Sequence, residues 1–288
     1  MKKGWILYRA KDAKRNQAFI QWFQEESLKQ SLSLELVFVE DLMIGIIDNQ
    51  LQIKWRNRPV ILPDFAIVRT MDPLLSQQLE LLGIPVFNSS TVSRICNDKT
   101  LTHQYLATFG LSMMDTIFLH GDDLPTIKPP ISFPFVIKPT NARSGNGVYM
   151  IRNQQDWNKT RNDFSLKNVL IQSCDVQVGK DLRVFVVGKE IVGAVLRENK
   201  TDFKANFSLG GTATWYDLAN HEIELIEKIM DVFDFGMVGI DFLIGNDGEL
   251  LFNEIEDVVG SRTLSNVSSV NIVEKYVALI HDIVYRQD

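Results

Sequence analysis

Gly236-Met-Val-Gly-Ile-Asp241-Phe-Leu-Ile-Gly-Asn-Asp-Gly248-Glu-Leu-Leu-Phe-Asn-Glu254-Ile-Glu256-Asp-Val-Val-Gly260 reads as two apolar strands around a turn. Asn246-Asp-Gly248 supplies the turn, because Asp-Gly tolerates the positive φ of a tight hairpin. The second strand carries Glu254 and Glu256, two residues apart and therefore on one face. Asp241 on the first strand is placed to lie across from them. Three carboxylates in apolar strands repel one another unless a cation sits between them, and without a metal at least one of their pKa values is expected to rise. Hard oxygen ligands of this type suit Mg²⁺, usually held by one or two carboxylates together with substrate phosphates. On these residues alone a solvated hairpin edge with ordinary charges explains the pattern equally well.

The rest of the chain narrows the choice. Its 288 residues exceed one ordinary core and predict two or three subdomains. With 45% apolar and 23% charged residues the composition is that of a globular protein. The net charge of −6 argues against a general nucleic-acid binder, which shows a basic face. Two cysteines, Cys96 and Cys174, suggest a reducing, cytoplasmic setting and no disulfide scaffold. His103, His120, His221 and His281 show no zinc-ligand spacing. The opening residues read as a first strand and not a signal peptide, and no apolar run is long enough to span a membrane.

Short apolar runs at 5–8, 34–39, 65–68 and 85–87 alternate with amphipathic helices at 14–30 and from Asp72-Pro73 to Leu82, predicting a small parallel α/β domain over residues 1–95. Loose alternation over 45–62 predicts one or two small strands. A helix opens at Asn97-Asp98-Lys99, and the buried strand Phe135-Val-Ile-Lys138-Pro139 precedes a small-residue loop of the sort that folds over phosphates with its backbone N–H groups. The loop is not a P-loop, since no Gly-Lys-Ser/Thr and no helix follow. Strands are expected at 148–151, 169–172, 181–187 and 191–197, with a connecting link over 173–180. A polar loop follows over 198–211, then helices at 222–235 and 271–285.

In this order, Asn-Asp-Lys99, Phe-Val-Ile-Lys138-Pro, Ile-Gln172, Lys-Asp181-Leu-Arg183, Arg197, Asp202-Phe-Lys-Ala-Asn206, Gly210-Gly211, Gly-Ile-Asp241 and Asn-Glu254-Ile-Glu256 resemble the ATP-grasp ligases over nearly the whole chain. The likeness points to the branch holding the ribosomal-protein S6 glutamate ligase and the lysine-biosynthesis carrier ligases. It implies an ATP-grasp fold of class α/β: the N-terminal domain 1–95, then two α+β subdomains, 96–172 and 173–288, clasping ATP. It also implies an ATP-dependent carboxylate–amine ligase acting through an acyl phosphate, with ATP and Mg²⁺ or Mn²⁺, two ions being expected.

The resemblance gives Lys99 and Lys138 the α- and β-phosphates, and gives Arg143, Ser144, Gly145 and Gly147 the closing loop. Gln172, Ser173 and Cys174 would hold the adenine and Asp181 the ribose. Arg197, Lys204 and Asn206 would face the transferred phosphoryl group, and Asp241, Glu254 and Glu256 the metal. Arg69, at the end of a buried strand, and Arg262, just past the hairpin, are candidates to grip a substrate carboxylate; structural ion pairs would explain them as well. The partners expected are a small carboxylate and an amine, either of them free or on a peptide or protein; a homo-oligomer is compatible. Two departures stand out. Ala142 replaces a frequent glycine, and Glu256 replaces the family's usual asparagine, adding negative charge beside the triphosphate. The second departure keeps an alternative open: a nucleotide-binding sensor without turnover.

Overall fold

The structure is a computed structural model and describes residues 1–141, 147–165, 167–200 and 211–286. Among the described residues, four sheets organise the fold. The first is parallel, with strands Leu32–Phe38, Lys2–Tyr8, Phe65–Val68 and Val86–Phe87 side by side. The helices Gln17–Lys29 and Pro73–Leu81 form where the periodicity predicts them. Asp72 caps the second by accepting from the Leu75 amide, with Pro73 in the first turn. Residues 42–59 lie outside this sheet as a separate antiparallel one of three strands, Leu42–Ile47, Gln50–Trp55 and Arg58–Pro59, so the region holds one strand more than expected.

The middle of the chain makes a four-stranded antiparallel sheet from Tyr149–Ile151, Phe135–Pro139, Asn168–Ser173 and Thr116–His120. Trp157, Phe164, Phe135 and Ile171 fill its own small core. The last sheet, also antiparallel, runs Thr212–Tyr216, Glu190–Glu198, Val176–Val187, Met237–Gly245 and Leu250–Glu256. Its central strand starts at Val176 and not at Asp181, so most of the expected link is strand. One face packs on helix Asn220–Val232 through Ile226, Ile229 and Met230. The other shares a core with the parallel sheet and the terminal helix Ile272–Arg286, where Phe23 meets Tyr276 edge-on at 6.0 Å. Full burial of an apolar side chain of this size stabilises by about 1.5–3 kcal/mol, so this shared core binds the N-terminal sheet firmly to the last one.

Candidate active site

Sheet register builds the site. In the ladder Arg183 lies opposite Asp241, Asp241 opposite Glu254, and Asp181 opposite Arg197. The register shifts after Asp241: Asp241 pairs with Glu254 but Phe242 pairs with Phe252, leaving Asn253 as an extra residue. This bulge reverses which side chains share a face. Phe252 stays with Phe242 in the apolar core, while Glu254 and Glu256 turn to the side of Asp241. Among the described residues the charges on that side balance: four carboxylates, Asp181, Asp241, Glu254 and Glu256, and four cations, Lys99, Lys138, Arg183 and Arg197.

Asp241, 2% exposed, accepts from Arg183 Nε at 2.7 Å and Nη2 at 2.6 Å, and from Arg197 Nη2 at 2.9 Å. Arg197 also grips Asp181 through Nε at 2.5 Å and Nη2 at 2.9 Å. Arg183 reaches Glu256 at 2.9 Å. Lys99, in the first turn of the Asp98-capped helix Lys99–Ala107, pairs with Glu254 at 2.7 Å. Lys138, buried at the end of its strand, donates to Asn253 Oδ1 at 2.9 Å. His103 donates from Nε2 to the Asn253 carbonyl at 2.8 Å.

These contacts correct the expectation of a repulsive, metal-starved triad. Burial pushes the Asp241 carboxyl up, but Arg183 and Arg197 overcome it and pull it down to about 2. Burial likewise opposes Glu254, yet Lys99 holds it below its ordinary value. Asp181 is raised instead: burial outweighs Arg197, which Asp181 shares with Asp241. Burial, with Lys99 nearby, lowers Lys138 to about 8. Burial, then Lys138, takes His103 down to about 4, so its ring is neutral at pH 7.

Ligand oxygens of Asp241, Glu254 and Glu256 lie within 4.8 Å of one another. Each carboxylate oxygen accepts more than one partner, so the arginine contacts leave acceptor capacity, and the all-oxygen set fits a hard divalent cation. Eight expected or neighbouring residues are thus joined: Lys99, Lys138, Asp181, Arg183, Arg197, Asp241, Glu254 and Glu256. Arg183 and Asn253 had no predicted role. Their signal was the alternation Asp181-Leu-Arg183 and the position of Asn253 before Glu254, but only the register reveals what each touches.

The other candidates lie apart from these contacts. Gly147 has φ +68°, and a Cβ there would sit 3.2 Å from Pro139, so the position suits glycine. Gln172 and Ser173 end the strand Asn168–Ser173, with the Gln172 side chain donating to Thr116 Oγ1 at 3.1 Å. Cys174 falls in the gap before the next strand. Arg69 and Arg262 line one cavity of about 1040 Å³ between the C-terminal end of the parallel sheet and the segment after Glu256. Arg143, Ser144, Gly145, Lys204 and Asn206 lie outside the described residues.

A parallel N-terminal sheet, two antiparallel subdomains and an acidic centre ringed by lysines and arginines define an ATP-grasp ligase, an enzyme class that forms amide bonds. The chain belongs to the RimK-like ATP-grasp family, whose domain matches residues 96–280. It is 25% identical over 265 residues to N-acetylaspartylglutamate synthase A of Mus musculus, covering 85% of this chain and 68% of that one. It is 26% identical over 258 residues to a probable alpha-L-glutamate ligase of Azotobacter vinelandii, covering 84% and 86%. The fold matches the ATP-grasp ligase PsnB complexed with its minimal precursor at a TM-score of 0.71 and 14% identity, over 100% of this chain and 99% of that one. Kinship and acidic centre together support magnesium-dependent nucleotide binding, and no helix among the described residues is long and apolar enough to cross a membrane.

Proposed function

We propose that the protein joins a carboxylic acid, of the glutamate type, to an amine at the expense of ATP through an acyl phosphate. The observation that carries this reading is the balanced cluster of four carboxylates and four cations. A substrate carboxylate oxygen attacks the γ-phosphorus and ADP leaves. The amine then attacks the acyl carbon, phosphate departs with the oxygen that came from the acid, and the nitrogen loses a proton. The enzyme supplies positioning and charge and no nucleophile.

Lys99 and Lys138 are the residues we assign to the α- and β-phosphates, and Gly147 to the loop over them. Gln172, Ser173 and Cys174 take the adenine. Arg197 bridges Asp181 and Asp241, and a triphosphate would compete for it, freeing Asp181 for the ribose hydroxyls. Asp241, Glu254 and Glu256 would hold one or two Mg²⁺ or Mn²⁺ ions, which when bound neutralise charge on the β- and γ-phosphates. Domain limits at 95 and 172 remain those proposed from the sequence. A peptide or protein carrying one of the reacting groups fits this reading alongside free metabolites, since PsnB takes a precursor.

Lys138→Ala is expected to weaken ATP binding about tenfold or more, the effect of losing a charge-assisted contact. The same lysine predicts a pH dependence. Its charged form prevails below about 8, so ATP affinity should fall as pH rises through 8, well before an ordinary lysine titrates. Lys138→Arg should abolish that fall. Calorimetric titrations at a series of pH values check both; flat wild-type affinity to pH 9 would remove Lys138 from the phosphate site. The reaction itself is tested by screening ADP release over pairs of amino acids and small carboxylates. Release that needs both an acid and an amine supports the ligase, and release indifferent to every pair contradicts it.

A further inference from the structure

Lys99 and Lys138 are held in different ways. Lys99 is neutralised by an ion pair, 2.7 Å from Glu254. Lys138 is 7% exposed, and no carboxylate lies within ion-pair distance of it among the described residues. Its hydrogen-bond partner there is Asn253 Oδ1, at 2.9 Å. An ammonium only donates, so the amide oxygen and not its nitrogen faces the lysine. A neutral amide fixes the direction of the ammonium and leaves its charge for an anion. A carboxylate in the same place would cancel that charge.

Asn253 reaches Lys138 because of the bulge. It is the residue that the ladder skips between the pairs Asp241–Glu254 and Phe242–Phe252. Bulges re-aim a side chain at the cost of regular pairing. The helix Lys99–Ala107 holds the bulge in place. His103 follows Lys99 by one helical turn, so both lie on one face. That face grips two successive residues of the strand: His103 Nε2 donates to the Asn253 carbonyl at 2.8 Å, and Lys99 pairs with the Glu254 side chain. His103 is 1% exposed, and its ring centre lies 5.3 Å from that of Phe252. Its Nδ1 is buried without a partner among the described residues. Native folds rarely leave such an atom unsatisfied, and an apolar ring beside Phe252 would avoid the cost. What the imidazole adds over an apolar ring is the Nε2 bond to Asn253.

We propose that Asn253 and His103 are positioning residues for nucleotide binding: Asn253 aims the Lys138 ammonium, and His103 fixes Asn253. Both act through Lys138. That Lys138 meets a phosphate rests on the ligase reading; the chain of contacts from His103 to Asn253 to Lys138 is this protein's own means of orienting it.

A double-mutant cycle on ATP affinity tests this, by calorimetric titration of the full chain with ATP and Mg²⁺, with the melting temperature of each variant measured alongside. Asn253→Leu should weaken ATP about tenfold, the effect of losing a hydrogen bond to a charged group. His103→Phe should weaken it about threefold, since the bond it removes is one step from the lysine. In a Lys138→Ala background each change should alter ATP affinity less than about twofold, because residues that act through one another are not additive. A general loosening of the fold would instead weaken binding equally in both backgrounds. Should Asn253→Leu fail to fold, His103→Phe runs the same cycle. Wild-type affinity in Asn253→Leu and His103→Phe, or equal losses with and without Lys138, would overturn the positioning role while Lys138→Ala still weakens ATP. No loss in Lys138→Ala would overturn the positioning role and the phosphate assignment together.

Discussion

Asp241→Asn should reduce turnover by about a thousandfold or more, the upper range for losing one group that stabilises the transition state. The same change should lower stability markedly. Asp241 is 2% exposed and accepts three charge-assisted hydrogen bonds from two buried arginines. Removing one partner of such a buried cluster costs about 3–5 kcal/mol, because the remaining charges stay desolvated. Glu256 still faces Arg183 and Asp181 still faces Arg197, so the loss should fall at the lower end of that range. Denaturant unfolding beside turnover separates the two effects. Full activity in a destabilised protein would make Asp241 a structural anchor for the arginines and nothing more.

Glu256→Lys should have the next largest effect. Glu256 is half-buried and pairs with Arg183 at 2.9 Å. A lysine there sets a cation against Arg183 and against the proposed metal. Glu256→Asn restores the ligand usual in the resembled family and keeps an oxygen, so turnover should stay within about tenfold, or ~1.4 kcal/mol in barrier height. Glu256→Ala, which removes the oxygen, should fall between them. Turnover against Mg²⁺ concentration for the three variants makes the comparison. Equal activity in all three would show that Glu256 serves only as a partner for Arg183.

Much of this site was legible in the residues. Asn246-Asp-Gly248 between apolar runs fixed the hairpin, and the two-residue spacing of Glu254 and Glu256 placed them on one face opposite Asp241. The bulge at Asn253 was not legible. Register is set by which residues pair across strands, and one extra residue leaves no mark in composition. For the same reason the partner of each carboxylate was hidden: Arg183 meets Asp241 only because two strands far apart in the chain align there. Strands Thr116–His120 and Thr212–Tyr216 and the short helices Ser90–Cys96, Gln154–Thr160 and Arg262–Val267 occur where the sequence predicts none. Each is too short to show a clear period, and tertiary packing decides its conformation.

The measurement that bears most directly on the carboxylate-activation step is the fate of oxygen in that step. The acid identified by the ADP-release screen is labelled with ¹⁸O in its carboxylate and turned over with ATP and the amine. One labelled oxygen should appear in inorganic phosphate for each amide formed, because the phosphate leaves with the oxygen through which the acid was activated. Amide accompanied by unlabelled phosphate, or label recovered in AMP, would contradict an acyl-phosphate ligase.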